Sequence, residues 1–180
     1  MPDLQDNALI VKTGGKGNRF AESVATGDRA EDRTMDYSIG RMGRVVVARG
    51  FEAEDLYGEI ESLAAKEDIR CAAVVVVGGL RRAKVVVGPK NPTGPIEPTY
   101  REFDDAREIA GVGTIFRDES GPKLHLHAGI GRGDEAIVGC PRGGASVFCV
   151  LEVVLFEILG VDAAREPDPE LGLKLLTLRK

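Results

Sequence analysis

The sequence predicts an α+β fold in which a mostly antiparallel sheet of about eight strands packs with one main amphipathic helix. Three observations lead to this prediction. Short apolar runs rich in β-branched residues recur along the chain, and Gly, Asp or Ser turns separate them. One segment carries apolar residues at helical spacing. Hydrophobic residues make up 43% of the 180 residues, with 23 Gly and no Trp, which allows a core of Val, Ile, Leu and Ala.

A strand and the helix open the folded part. Arg44–Arg49 is a β-branched run and predicts a strand. Glu52–Lys66 predicts the helix, because Leu56, Ile60 and Leu63 recur on one face. Acidic residues crowd its first turn, where the helix dipole favours negative charge.

The rest of the chain predicts strands. Cys71–Val77 is apolar on both faces and predicts a central strand, which we expect Gly78-Gly79 to stop and Arg81–Val87 to follow as a hairpin partner. The further predicted strands are Tyr100–Phe103, Ile109–Phe116, Leu124–Gly129, Glu135–Cys140, Ser146–Leu159 and a closing edge strand, Leu173–Leu178. Ser146–Leu159 is also apolar on both faces, so the helix and a second sheet layer, or another subunit, must cover it.

The first 34 residues differ from the remainder of the chain. They contain four glycines and a charged cluster at 28–33, without sustained periodicity. We predict that residues 1–34 form a flexible or loosely packed arm and that residues 35–180 form one domain.

Charge and composition limit the classes of function. Lys and Arg number 24 against 29 Asp and Glu, a net charge of −5, which disfavours electrostatic binding to nucleic acid or an anionic membrane. No apolar stretch approaches the roughly 18 residues of a membrane-spanning helix. The three cysteines cannot all pair with one another, and a reducing cytoplasm is the simplest compartment for them. We therefore expect a cytoplasmic protein without a membrane span.

The two histidines of the chain lie in one predicted strand, as His125 and His127. Side chains at i and i+2 share a face of a strand, so the two imidazoles point together. A hairpin centred near Arg132 and Gly133 would place Cys140 opposite His125, and Val138 opposite His127. Two imidazoles and a thiolate would then converge, and this ligand set suits Zn²⁺ with a fourth position open.

The same pattern has a plainer interpretation. His-x-His on a strand can be two polar side chains on a solvated or interfacial face, and Cys140 can be a small core residue. A one-residue slip of the register would turn Cys140 to the opposite face. A polar pocket for a small ligand, without metal, is a third interpretation.

Four charged residues complete the candidate site. Glu152 interrupts the longest apolar strand, and Glu108 precedes another strand. Each is a candidate catalytic base, with a surface carboxylate or a structural ion pair as the alternative. Arg132 and Arg142 flank the strand that carries Cys140 and are candidates to hold an anionic ligand.

Several blocks in sequence order resemble the PPC domain, the domain conserved in plants and prokaryotes. These blocks are Gly78-Gly79-Leu80, Glu108-Ile109, Leu124-His125-Leu126-His127, Val138-Gly139-Cys140 and Leu151-Glu152-Val153-Val154. The resemblance runs from about residue 35 to residue 178. Much of the family has Gly-Gly-His where this chain has Val138-Gly139-Cys140, so the usual ligand set does not carry over unchanged.

The resemblance implies a homotrimer and a regulatory, DNA-associated function. In plant members the link to DNA depends on an attached AT-hook with the core Arg-Gly-Arg-Pro, which this chain lacks. The first functional hypothesis is therefore a stand-alone trimeric PPC module with a zinc site and at most weak DNA association. The alternative is a zinc-dependent hydrolase or lyase that acts on a small anionic substrate at a subunit cleft.

Overall fold

The computed structural model describes residues 35–93 and 95–179. This part of the chain holds nine strands and one helix, in the order β1 (Arg41–Phe51), α1 (Leu56–Lys66), β2 (Cys71–Pro89), β3 (Pro98–Phe103), β4 (Arg107–Asp118), β5 (Gly121–Arg132), β6 (Glu135–Pro141), β7 (Ser146–Leu159), β8 (Ala163–Asp168) and β9 (Leu173–Leu178). The strand pairs are antiparallel apart from the β4–β8 pair. The predicted α+β class with a mostly antiparallel sheet is confirmed. The predicted arm, residues 1–34, lies outside the described residues.

The centre of the fold is the long strand β2. Its first half lies between β4 and β7, with β1 beyond β7 and β5 beyond β4. Its second half pairs with β3 and with the end of β6. Since β5 also pairs with β6, the pairings among β2, β4, β5 and β6 close into a ring. Beyond this ring, β8 and β9 form a hairpin against the end of β4.

The predicted hairpin between Cys71–Val77 and Arg81–Val87 is wrong, because β2 runs through both segments without a turn. Gly78, with φ of +141°, marks a bulge where the register with β7 shifts. A Cβ atom at Gly78 would collide with the carbonyl oxygen of Val150. The glycine pair therefore serves close backbone approach and a bend in the strand, as glycines within strands often do.

The helix is shorter than the predicted Glu52–Lys66. It begins at Leu56, because the carboxylate of Asp55 caps it by accepting the backbone N–H of Gly58 at 2.8 Å. Glu52, which was predicted to lie in the helix, lies in the loop before it. The carboxylate of Glu52 pairs with Arg81.

One hydrophobic core lies between the helix and the sheet. Leu56, Ile60 and Ala64 of α1 are buried there, together with alternating residues of the strands. No helix in the described part of the chain is long and apolar enough to span a membrane.

The opposite face of the sheet remains exposed and is rich in valine. Direct pairing across β1, β7, β2, β4 and β5 aligns Val47, Val154, Val75, Val112 and His127 in one row. Val47 and Val112 are 76% and 66% exposed. We call this surface the valine face; it consists of Val45, Val47, Val75, Val77, Val112, Val138 and Val154. An apolar sheet face of this kind is typical of an interaction surface.

Candidate metal centre

Strand β5 places both imidazoles on one side of the sheet. Leu124 and Leu126 point into the core and are buried, whereas His125 and His127 alternate with them and are exposed. The Nε2 atoms of the two histidines lie 3.1 Å apart. Two nitrogen ligands of a tetrahedral zinc ion lie about 3.3 Å apart, so the spacing of the rings fits a shared ion.

Strand β6 brings Cys140 to the same place, with a register that differs from the predicted one. The ladder pairs Arg132 with Glu135 and Ala128 with Gly139. The predicted pairing of Cys140 with His125, and of Val138 with His127, is therefore wrong by two residues; Val138 lies opposite Gly129. A shift of two residues keeps each side chain on its face, so Cys140 stays on the side of the histidines.

The three predicted ligands form one cluster. Their ligand atoms all lie within 4.8 Å of one another, with the two imidazoles exposed and Cys140 buried. Two nitrogens and one sulfur are donors that zinc favours and that magnesium and calcium do not. No fourth His, Cys, Asp or Glu joins the cluster within residues 35–93 and 95–179. An ion held there would keep one coordination position for another ligand.

Helix α1 supplies the polar contact of the thiol. The Tyr57 hydroxyl lies 3.9 Å from Cys140 Sγ and donates a hydrogen bond to the carbonyl oxygen of Pro141. Burial, and then the neighbouring Cys140, raise the pKa of Tyr57. The phenol therefore stays protonated and holds the end of β6 against the helix.

Two arginines, Arg165 and Arg142, bring positive charge near His125. Burial lowers the pKa of His125 first, and the positive charge of Arg165, the neighbouring His127 and Arg142 lower it further. The lowered pKa favours the neutral imidazole, which is the form that binds a metal. Arg165 Nη2 also donates to Thr114 Oγ1 at 3.2 Å, and Thr114 lies directly opposite His125.

Sequence reasoning missed Arg165 because it missed β8. The segment Ala163–Asp168 lacks the apolar alternation by which a strand is recognised. It is a strand because it pairs with β9, which was predicted with its observed bounds, Leu173–Leu178. No local pattern distinguishes Arg165 from the other arginines of the chain.

The two predicted arginines lie in different surroundings. Arg142 is exposed, two residues after Cys140, and its charge reaches His125. Arg132 lies at the far end of the β5–β6 hairpin, where it donates to the carbonyl oxygen of Asp105 at 2.6 Å. Within one chain, Arg132 belongs to that corner and not to the cluster.

The predicted bases lie apart from the cluster within one chain. Glu108 is exposed on β4, six residues from Thr114, or about 20 Å along an extended strand. Glu152 is exposed on β7 and lies opposite Val77 of β2, three strands and about 14 Å from β5. The buried carboxylate of β7 is instead Glu157, which pairs with Arg44 at 2.8 Å.

The sheet with its cluster defines an α+β protein with a candidate three-ligand metal centre on a β-hairpin. The Plants and Prokaryotes Conserved (PCC) domain, also written PPC, matches residues 37–159. The chain belongs to this family, as its sequence blocks predicted.

Solved structures from archaea and bacteria share the fold. A metal-containing protein of Archaeoglobus fulgidus is 22% identical, with a TM-score of 0.71 over 79% of this chain and 99% of that one. A PPC protein of Pyrococcus horikoshii is 24% identical, with a TM-score of 0.70 over 81% and 99%. A proposed DNA-binding protein of Bacteroides thetaiotaomicron is 18% identical, with a TM-score of 0.65 over 78% and 99%. No curated protein matches the sequence significantly.

Proposed function

We propose that the protein is a trimeric zinc-binding member of the PPC family whose metal site takes a small ligand. His125, His127 and Cys140 hold the ion, and the fourth position accepts the ligand. The observation that carries the proposal is the convergence of these three donors within 4.8 Å on paired strands of a closed ring. The fold shared with a metal-containing protein of Archaeoglobus fulgidus supports it.

The valine face supports self-association. Isolated exposed valines are ordinary, but contiguous rows of them are costly in water and favour burial against another surface. A shallow groove of about 480 Å³ on this face is lined by Val75, Val112, Val138 and His127. Assembly through the valine face would thus bring a neighbouring subunit close to the cluster and form the predicted subunit cleft.

Direct DNA binding has weaker support. Two structural neighbours are described as proposed DNA-binding proteins, but the net charge of −5 opposes association with phosphates. We expect no gel shift with duplex DNA at low salt. A salt-dependent gel shift with the untagged protein would instead support the hypothesis of a DNA-associated function.

The second candidate is a zinc-dependent hydrolase or lyase. It is favoured because no fourth protein donor joins the cluster among the residues that the structure describes. When bound, zinc supplies a Lewis acid and lowers the pKa of a coordinated water towards neutrality. The chain itself supplies two imidazoles held on one strand and a thiol held by the fold against Tyr57. Because the two predicted carboxylate bases lie apart from the cluster within the described residues, we expect the ligand or a neighbouring subunit to supply the base.

Elemental analysis of the untagged full-length protein tests the metal site. We expect close to one zinc ion per chain, and a large loss of zinc in Cys140→Ser and in His125→Asn. The matched control is Cys71→Ser, which alters another buried cysteine on a strand. Zinc content that stays unchanged in Cys140→Ser, or absence of zinc from reduced wild-type protein after zinc is offered, would refute the proposal.

A further inference from the structure

We infer that Arg165 makes the metal site selective for a small ligand with a carboxylate or phosphate group, bound between its guanidinium and the open metal position. This inference rests on the proposed function, since the anion would bind beside the metal. It adds a binding residue outside the sequence blocks that carry the family resemblance, and it names the class of ligand.

Two contacts with β4 set the position of the Arg165 side chain beside the cluster. The guanidinium extends from β8 to Thr114 Oγ1 on β4 at 3.2 Å, and Thr114 lies opposite His125 on β5. The guanidinium carbon lies 5.9 Å from the centre of the Phe116 ring, over its face. These contacts hold the cation next to the histidines and use only part of its five-donor fork.

Arg165 also lacks an acidic partner within the described part of the chain. Three arginines there are partly buried, namely Arg107, Arg117 and Arg165. Arg107 pairs with Asp105 at 2.7 Å, and Arg117 pairs with Asp68 at 3.1 Å. Arg165 has no carboxylate oxygen within 4.0 Å among those residues. Its burial disfavours the charged form and lowers its pKa. A partly buried guanidinium without a counter-ion favours a bound anion.

The charges around the cluster favour an anion as well. A zinc ion with one thiolate and two neutral imidazoles keeps a positive charge, to which Arg165 and Arg142 add theirs. Burial lowers the pKa of Arg165, and the negative charge of Asp118 acts in the opposite direction. The carboxylate of Asp118, however, pairs with the Lys174 ammonium at 2.8 Å. Among the described residues, the cluster therefore lies beside two arginines, and the acid that acts on Arg165 is already paired with a lysine.

Anion titration of the cobalt-substituted full-length protein tests the inference. Cobalt takes the place of zinc, and its visible spectrum reports entry of a ligand at the metal. Metal content is measured first for the wild type, Arg165→Gln, Arg165→Lys and the control Arg101→Gln, which removes one exposed positive charge on β3. Phosphate and acetate are then titrated separately, which distinguishes the two kinds of ligand.

We expect all four proteins to bind metal equally and the wild type to respond to at least one of the two anions. Arg165→Gln should weaken that response about 10-fold or more, as loss of a charged hydrogen-bond donor does. Arg165→Lys should restore part of it, and Arg101→Gln should match the wild type. The inference is overturned if the spectrum of the metal-loaded wild type responds to neither anion, or if Arg165→Gln responds to the anions as the wild type does. Either result leaves the proposed metal site standing. A chain that binds neither zinc nor cobalt overturns both.

Discussion

Gly139 connects the packing of the sheet with the geometry of the metal site. It precedes Cys140 on β6, where the strand meets Val85 and Val86 of β2. A Cβ atom at Gly139 would collide with the carbonyl oxygen of Val86 and lie 2.7 Å from Val85 Cγ1. Because the oxygen belongs to the backbone, Gly139→Ala can be accommodated only if β6 moves away from β2.

The expected cost follows from that collision. Extra methyl groups in closely packed sites usually destabilise a protein by about 1–3 kcal/mol. The movement also carries Cys140 Sγ away from the imidazoles, so we expect Gly139→Ala to bind zinc more weakly than the wild type. Gly143→Ala is the matched control, since this exposed glycine follows Cys140 by three residues and no described atom lies within 4 Å of its added Cβ.

Two measurements on each variant separate the outcomes. Denaturant unfolding of the metal-free proteins gives the change in the free energy of unfolding, and competition with a chromophoric chelator gives zinc affinity. Gly143→Ala should stay within about 0.5 kcal/mol of the wild type, as benign surface changes do. The reasoning is refuted if Gly139→Ala unfolds and binds zinc as the wild type does, or if both variants lose zinc equally.

Three further predictions concern the helix, the buried ion pair and the valine face. Tyr57→Phe should cost about 1–2 kcal/mol in unfolding free energy and weaken zinc binding about 10-fold, as measured by denaturation and chelator competition; unchanged zinc affinity would show that the hydroxyl does not position the thiol. The hydrogen bonds and charge of Arg44 lower the pKa of Glu157 to about 2, below its ordinary 4.5, so the stabilisation is complete above pH 4.5 and is lost as the pH falls towards 2. The stabilisation from this ion pair is at most about 3 kcal/mol, and it is smaller than that because half of the arginine side chain is exposed. Between pH 7 and pH 2, the free energy of unfolding should fall less steeply with pH in Glu157→Gln than in the wild type. Equal slopes would contradict a pKa of Glu157 lowered by Arg44. Val112→Asp should dissociate the oligomer in analytical ultracentrifugation, whereas Leu173→Asp, at an exposed position of β9, should not; an oligomer that survives Val112→Asp would exclude the valine face as the interface.

The strands were predictable from sequence where apolar periodicity was strong. Ser146–Leu159 and Leu173–Leu178 have the predicted bounds, because runs of Val, Ile and Leu determine them. The Gly78-Gly79 pair was misinterpreted, since glycine permits both a turn and a bulge. Only the approach of a distant strand, β7, distinguishes the two.

The cluster was predictable for a different reason. Alternation along one strand put His125 and His127 together, and a hairpin returned Cys140 to them even though its register was wrong by two residues. Arg165 could not be predicted, because β8 is a strand only through its pairing with β9. Tyr57 reaches the thiol from a helix 83 residues away, a contact that no local pattern encodes.

The closed ring of β2, β4, β5 and β6 has a consequence for the exchange of a bound ion. His125, His127 and Cys140 lie on strands of that ring, so neither strand can peel from a free edge of the sheet, as a terminal strand can. The donors could separate only if the ring opened. Ring opening costs a free energy close to that of global unfolding, whereas local fraying would cost much less. Ion release by backbone opening should therefore be slow, and amide hydrogens of β5 that pair with β4 should exchange with solvent at the rate of global unfolding.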